Sequence, residues 1–318
     1  MRCIGIDISK TTLDWAAVEA AAGAILAEQS VPNTAAGIAH LVTQLQTLTP
    51  EVLVLEATGA YHVPLLRALV AADLPVTLIN PAQIVAFRQI SLGRTKTDRQ
   101  DARLIARFGA TYARELRRFV PRSALQETLR AWMRYRETLV ADRTRLRGQQ
   151  EANQWQGDPQ VQRWLAATEE TLLAHLAAVD DAIAKLLAQL PEAAVVQAII
   201  GVGPRVAAAV LGALPVALWG DAKTASAFFG VVPRLAQSGS RSRSWLSKSG
   251  PGYVRRMLYM AARVAITHDP AIAAWYQAMV DRGKPKRLAQ CAVMHKLLRH
   301  MMGRLKAWYR TQTPPLAA

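Results

Sequence analysis

Cysteine is nearly absent. Cys3 and Cys291 are the only two in 318 residues, which excludes a disulfide framework and fits a reducing cytosol. Long apolar runs are missing too. No uninterrupted stretch reaches the roughly 18 residues of a spanning helix, so no membrane segment is expected. Near the N-terminus Asp7 and Lys10 break the one apolar run, which argues against a signal peptide. There is no Walker-type loop and no Gly-x-Gly-x-x-Gly, so dependence on ATP is not suggested. Acids are scarce, 23 against 39 basic residues, leaving a formal net charge of +16. Lysine is scarce among the cations: 30 of the 39 are Arg and 9 are Lys.

That excess predicts a polyanionic partner, and arginine suits bidentate contact to phosphate. The charge alternates along the chain. Residues 1–87 carry −4, 88–147 carry +10, 148–233 carry −4 and 234–318 carry +14. Two basic surfaces on two units, joined by less basic parts, are the expectation.

Residues 2–8, 13–19 and 24–31 read as three strands, with Ala21-Ala22-Gly23 as a turn. Asn33 or Thr34 caps a helix that runs to about Leu48 and is stopped by Pro50. Val52-Leu53-Val54-Leu55 is an apolar run ending on Glu56, as in strands covered on both faces. A helix over 62–72, a strand over 75–79 and a helix after Asn80-Pro81 follow. The order predicts a mixed sheet with a leading meander and right-handed crossovers.

In such a sheet the ends of the first and fourth strands lie side by side, bringing Asp7 and Glu56 to one edge. Lys96-Thr97-Asp98-Arg99-Gln100-Asp101 holds two more acids three residues apart in a basic segment. On a helix starting at Asp98, with that residue as its cap, both share a face with Cβ atoms roughly 5–6 Å apart. Taken singly, each acid has a structural explanation: a capped solvated helix, a strand-end turn residue, an arginine partner. Gathered in one pocket, four carboxylates raise one another's pKa values, and a divalent cation relieves the repulsion.

Residues 121–147 read as a basic amphipathic helix with Leu125, Leu129, Trp132, Met133 and Leu139 inward. Its arginines at 130, 134, 136, 143, 145 and 147 are expected largely outside, facing solvent or phosphate. Residues 149–160 read as a loop. From Leu165 to Leu190 apolar residues mostly step by 4 and 3, which predicts a coiled-coil hairpin, a dimer seam, or a helix packed on its own domain. After Pro191, Ile200-Gly201-Val202-Gly203 between helices reads as a helix-hairpin-helix element or a plain glycine-containing hairpin. In the first case Gly201 and Gly203 present backbone N–H groups to phosphate. Ser238-Gly239-Ser240-Arg241-Ser242-Arg243-Ser244 is too polar for a core. It is either a flexible phosphate-binding loop or a nucleophilic serine among cations. Ser247-Lys248-Ser249-Gly250 and a basic helix with Arg255 and Arg256 follow. Cys291 and His295 are spaced i, i+4 but lack a second ligand pair, so zinc is not indicated.

Gly5-Ile6-Asp7-Ile8-Ser9-Lys10, Leu55-Glu56-Ala57-Thr58-Gly59, Asn80-Pro81, Lys96-Thr97-Asp98-Arg99-Gln100-Asp101-Ala102 and Gly230-Val231-Val232-Pro233-Arg234 occur in that order. Together they resemble the DEDD insertion-sequence transposases, which include Piv-type invertases and bridge-RNA-guided recombinases. The likeness runs nearly end to end.

The resemblance implies an α/β RuvC-like domain of the RNase H fold over 1–120. A basic helix and coiled-coil connector would span 121–190. A mainly α transposase domain with a helix-hairpin-helix and a serine loop would span 191–318. It implies Mg²⁺ (or Mn²⁺) held by Asp7, Glu56, Asp98 and Asp101, and a catalytic serine at Ser238, chosen over Ser240 by its place after Pro233-Arg234. Arg94, Lys96, Arg241, Arg243, Lys248, Arg255, Arg256, Gly201 and Gly203 are the candidate nucleic-acid contacts. Expected partners are donor and target DNA, an element-encoded bridge RNA, and further copies of the chain as a dimer of dimers. A bacterial cytoplasmic, nucleoid-associated location is expected. Ile200 stands before Gly201 where the family often has Pro. The alternatives are a RuvC-like junction nuclease using metal-activated water, or a non-catalytic nucleic-acid-binding scaffold.

Overall fold

The computed structural model describes residues 1–312 apart from 22, 58, 91–96, 216–217, 239–240 and 248–249. The side chains of 156, 233–236, 238 and 241–244 also fall outside the description. The chain divides into two compact units, Met1–Pro121 and Arg122–Ala318.

The first unit is built on five strands: β1 (Arg2–Ile8), β2 (Thr12–Glu19), β3 (Ile25–Pro32), β4 (Val52–Glu56) and β5 (Val76–Ile79). Their order is β3-β2-β1-β4-β5. β1 to β3 form the antiparallel meander, and β4 and β5 join in parallel. The mixed topology fits an RNase H-like domain. Alternation along β1 sorts the faces. Ile4, Ile6 and Ile8 pack with Leu41 and Leu45 of α1 (Ala35–Leu48) and with Leu65 and Leu69 of α2 (Val63–Ala71). Cys3 packs on the other face with Ala106 of α4 (Asp98–Thr111). Val54 of β4 meets Ile105 and Phe108 of α4 there, with Ile84 of α3 (Pro81–Ile90). Gly5 permits this close packing: a Cβ on it would lie 2.1 Å from the Ala106 backbone N.

The second unit opens with a helical hairpin, α5 (Ala124–Gln156) and α6 (Pro159–Leu187). The loop predicted over 149–160 is not there. α5 runs to Gln156, and only Gly157 and Asp158 interrupt the helices, Asp158 capping α6 through Gln160 N. Polar residues held no breaker before Gly157, so the helix continued. Leu176, Ile183 and Leu187 are buried on the seam.

Two more expectations about α5 need correction. Trp132 is 37% exposed rather than inward, and Arg136 is 8% exposed rather than outside. Arg136 Nε donates to Asp180 Oδ1 at 2.6 Å, and Arg143 and Arg147 reach Glu169 at 3.1 and 2.8 Å. These arginines serve the hairpin because α6 carries the matching acids.

Beyond it lie α7 (Pro191–Gln197), α8 (Pro204–Ala213), α9 (Ala222–Phe228), β6 (Pro233–Ser238), β7 (Arg241–Leu246), α10 (Gly252–His268), α11 (Pro270–Asp281) and α12 (Lys286–Gln312). The buried Ala207–Leu211 stretch of α8 packs with Leu258 and Ala262 of α10 and Leu297 and Met301 of α12 in one core. No helix among the described residues is long and apolar enough to cross a membrane.

Candidate active site

Period-two alternation brings three elements to one place. Ile6 of β1 pairs with Leu55 of β4 in parallel register. The next step sets Asp7 beside Glu56. Asp7 follows Cys3 and Gly5 onto the α4 face, and Glu56 follows Val52 and Val54. α4, packed on that face, supplies Asp98 and Asp101 from its first turn. The cap is Thr97, whose side chain accepts from Gln100 N at 3.3 Å. Asp98 is therefore the first helical residue and not the cap. The shorter threonine side chain reaches forward to the third amide, and both aspartates stay in the turn where the helix dipole favours negative charge.

The Asp7 carboxyl is raised to about 6, by burial first and then by Asp101, Asp98 and Glu56, against a backbone N–H of Ile8 that pulls it down. Asp7 thus feels the charge of the other three carboxylates. Asp101 is buried, and its Oδ1 lies 2.7 Å from Nη2 of Arg88 on α3. Among the described residues no three His, Cys, Asp or Glu side chains are gathered as a metal cluster. The donor set is nonetheless wholly carboxylate, which suits a hard divalent cation, and the repulsion at Asp7 is what such a cation relieves.

Sequence reasoning missed two residues here. Arg88 neutralises Asp101, and only the packing of α3 on α4 reveals it. Asp14 is the register partner of Asp7 across the antiparallel pair and is buried. Cross-strand partners share a face, and the alternation Leu13-Asp14-Trp15 was a legible signal for it.

The serine segment is a β-hairpin and not a flexible loop. β6 and β7 are antiparallel, from Pro233 against Leu246 to Ser238 against Arg241. The strict Ser-Arg alternation over 240–244 is the period of a strand. Ser238 ends β6, in register with Arg241 of β7. Its side chain and those of Arg241 and Arg243 lie outside the described residues, as do Ser240, Lys248, Arg94 and Lys96 entirely.

The other expected contacts have partners within the chain. Arg255 Nη1 donates to Gly250 O at 3.0 Å and to Phe229 O at 3.4 Å. Arg256 pairs with Glu137 of α5. Gly201 has φ +91° and is pressed on α10, where a Cβ would meet Ala261 O at 2.5 Å. Gly203 caps α8 with open space beside it. The turn borders a cavity of about 560 Å³ lined by Ile200, Met260 and Val264.

Comparison with known proteins adds the following. A family model described as transposase, of the DEDD IS110 type, matches residues 4–153. A second, described as transposase of the IS116/IS110/IS902 family, matches residues 193–277. The pilin gene-inverting proteins of Moraxella bovis and Moraxella lacunata are each 30% identical over 313 residues, covering 93% of this chain and 92% of theirs. Among solved structures, RuvC of Thermus thermophilus in complex with Holliday junction substrate has a TM-score of 0.31 at 19% identity, covering 37% of this chain and 99% of that one. A second structure of the same RuvC gives 0.30 at 20% identity, covering 37% and 100%.

Proposed function

Because the chain belongs to the DEDD transposase family of the IS110 type, we propose that it cuts and rejoins DNA through a covalent phosphoserine intermediate formed at Ser238. The observation that carries this reading is the charge of Asp101, Asp98 and Glu56 reaching the buried Asp7 carboxyl, where the ends of β1 and β4 meet the start of α4. These four acids would hold a divalent cation, Mg²⁺ or Mn²⁺. When bound, such an ion supplies charge neutralisation at a phosphate and favours ionisation of an oxygen nucleophile.

The Ser238 Oγ attacks phosphorus, and the bond from phosphorus to the 3′ oxygen breaks. The proton lost by the serine ends on the departing 3′-OH. A 3′-OH of the partner strand then attacks the phosphoserine, and the serine leaves with a proton. One ester bond is exchanged for another throughout, so rejoining needs no ATP.

The finer family properties belong to the same proposal. An element-encoded bridge RNA pairs with donor and target DNA. Copies of the chain assemble as a dimer of dimers, with one subunit's acids joined to another's Ser238. The α5–α6 hairpin acts as the coiled coil and the α7–α8 turn as a helix-hairpin-helix. The excess of arginine supports polyanion binding of this kind.

The test is covalent trapping. Protein, RNA transcribed from the DNA flanking its gene, labelled donor and target DNA and Mg²⁺ are mixed, denatured and run on a gel. A DNA-linked protein band lost in Ser238→Ala and reduced by orders of magnitude in Asp101→Asn is expected. Free cleaved DNA, unaffected by Ser238→Ala, would instead indicate hydrolysis by activated water.

A further inference from the structure

A cavity of about 490 Å³ lies in the second unit where α5 meets α10 and the root of the serine hairpin. Phe228, five residues before β6, and Pro251, five after β7, form part of its wall, so both ends of the hairpin's connection are anchored on it. Its polar lining is Arg122, Arg130, Arg134, Glu137 and Tyr253. We propose that this cavity is a phosphodiester site that grips the backbone of a nucleic-acid strand beside the hairpin.

The charge balance points to an anion. Among the described residues, two acids face this group. Glu127 sits 3.3 Å from Arg122 Nη1 and 3.8 Å from Arg130 Nη1. Glu137 is taken by Arg256. Arg122, Arg130, Arg134 and Arg256 therefore outnumber their acids, and a phosphate supplies the missing negative charge.

Donors are left over as well. The Arg122 side chain is only 10% exposed, and its Nε is buried without a hydrogen-bond partner. Its other guanidinium nitrogens donate to Glu127 and, at 3.1 Å, to Ala213 O. A buried unsatisfied charged donor is costly, which a ligand oxygen corrects. Tyr253 is half-buried, and its hydroxyl has no hydrogen-bond partner among the described residues. Burial pushes its pKa up, so it remains a neutral donor. Burial first, then the neighbouring Arg130, press the Arg122 pKa down, against the upward pull of Glu127. Three guanidinium groups and one phenol around an open cavity form a donor set for phosphate oxygens.

The assignment deepens the strand-exchange reading but stands on binding alone, so its test leaves the chemistry out. The full chain in EDTA is titrated into a labelled 30-base-pair DNA duplex and a labelled 30-nucleotide RNA at several KCl concentrations, and anisotropy is read. Arg134→Gln and Tyr253→Phe spare the buried Arg122, and unchanged melting shows that they fold. Each variant is expected to weaken binding about 3–10-fold, and Arg134→Gln to reduce the slope of log K against log salt by about 1. Loss on the duplex alone assigns the phosphate to DNA, and loss on the single strand alone assigns it to RNA. Parent affinity and slope in both variants on both probes overturn the site. Failure of the strand-exchange reading shows separately, as an absent covalent band in the parent protein.

Discussion

The Arg88 guanidinium lies 2.7 Å from the Asp101 carboxylate, with only 28% and 12% of the two side chains exposed. This contact places a cation of the chain itself on one of the acids whose charge reaches Asp7. It couples α3 to α4 across the face where Asp7 and Glu56 end their strands.

Arg88→Gln removes that positive charge while keeping a hydrogen-bonding side chain. Divalent-cation affinity is expected to rise about 3–10-fold, since the ion no longer competes with the guanidinium for Asp101. Mn²⁺ titration followed by electron paramagnetic resonance measures it directly. A fall in affinity would mean that Arg88 holds Asp101 in its binding geometry.

Asp7 gives a pH signature. Its carboxyl is raised to about 6 in the folded protein, above the unfolded value near 3.9. The folded state therefore binds more protons between those values, and stability falls as pH rises through the window. Asp7→Asn removes the burden. Without divalent ions it is expected to raise stability at pH 7.5 by about 1 kcal/mol, or roughly 4 °C in melting temperature, once solvent screening is allowed for. The gain should fade toward pH 4. A gain of equal size at both pH values would exclude the electrostatic cause.

Gly5→Ala tests the packing under the site. The added Cβ would lie 2.1 Å from Ala106 N and 2.5 Å from Ala102 O, both backbone atoms of α4. The helix must move away from β1, at a cost of about 3 kcal/mol or more. Chemical denaturation of the N-terminal unit reads the loss. Divalent-cation binding should be lost with it, because Asp98 and Asp101 move with α4.

Within the α5–α6 hairpin, Arg136 and Asp180 separate charge from shape. Asp180→Ala strands a buried guanidinium and should cost about 3–4 kcal/mol. Arg136→Met combined with Asp180→Leu replaces the pair by apolar packing and should unfold within about 1 kcal/mol of the parent. Arg205, 2.7 Å from Asp180 but 59% exposed, contributes little to the difference. Urea midpoints of the three proteins decide the matter.

Much of the first unit was legible because its signals are local. The apolar runs of β1 and β4, the stop at Pro50 and the threonine-led start of α4 each act within a few residues. The acids therefore lie on the elements that the sequence assigned to them. Local signals failed where a pattern had a second meaning. The Ser-Arg alternation was polar enough to suggest a loop, yet its period was that of a strand. The arginines of α5 looked solvated because their acidic partners stand on another helix, 44 residues away for Arg136.

The sequence alone determined the charge that calls for a polyanion, the elements of the mixed sheet and the strand ends and helix start on which Asp7, Glu56, Asp98 and Asp101 lie, since composition and burial period act along the chain. The tertiary structure decided what those residues meet. Parallel pairing of β1 with β4 set Asp7 beside Glu56 across 49 positions, and packing of α3 on α4 put Arg88 against Asp101. The fold of the second unit gathered Arg122, Arg130 and Tyr253 around one cavity. Such meetings depend on which apolar faces bury one another, a choice made by the whole core that no short stretch encodes.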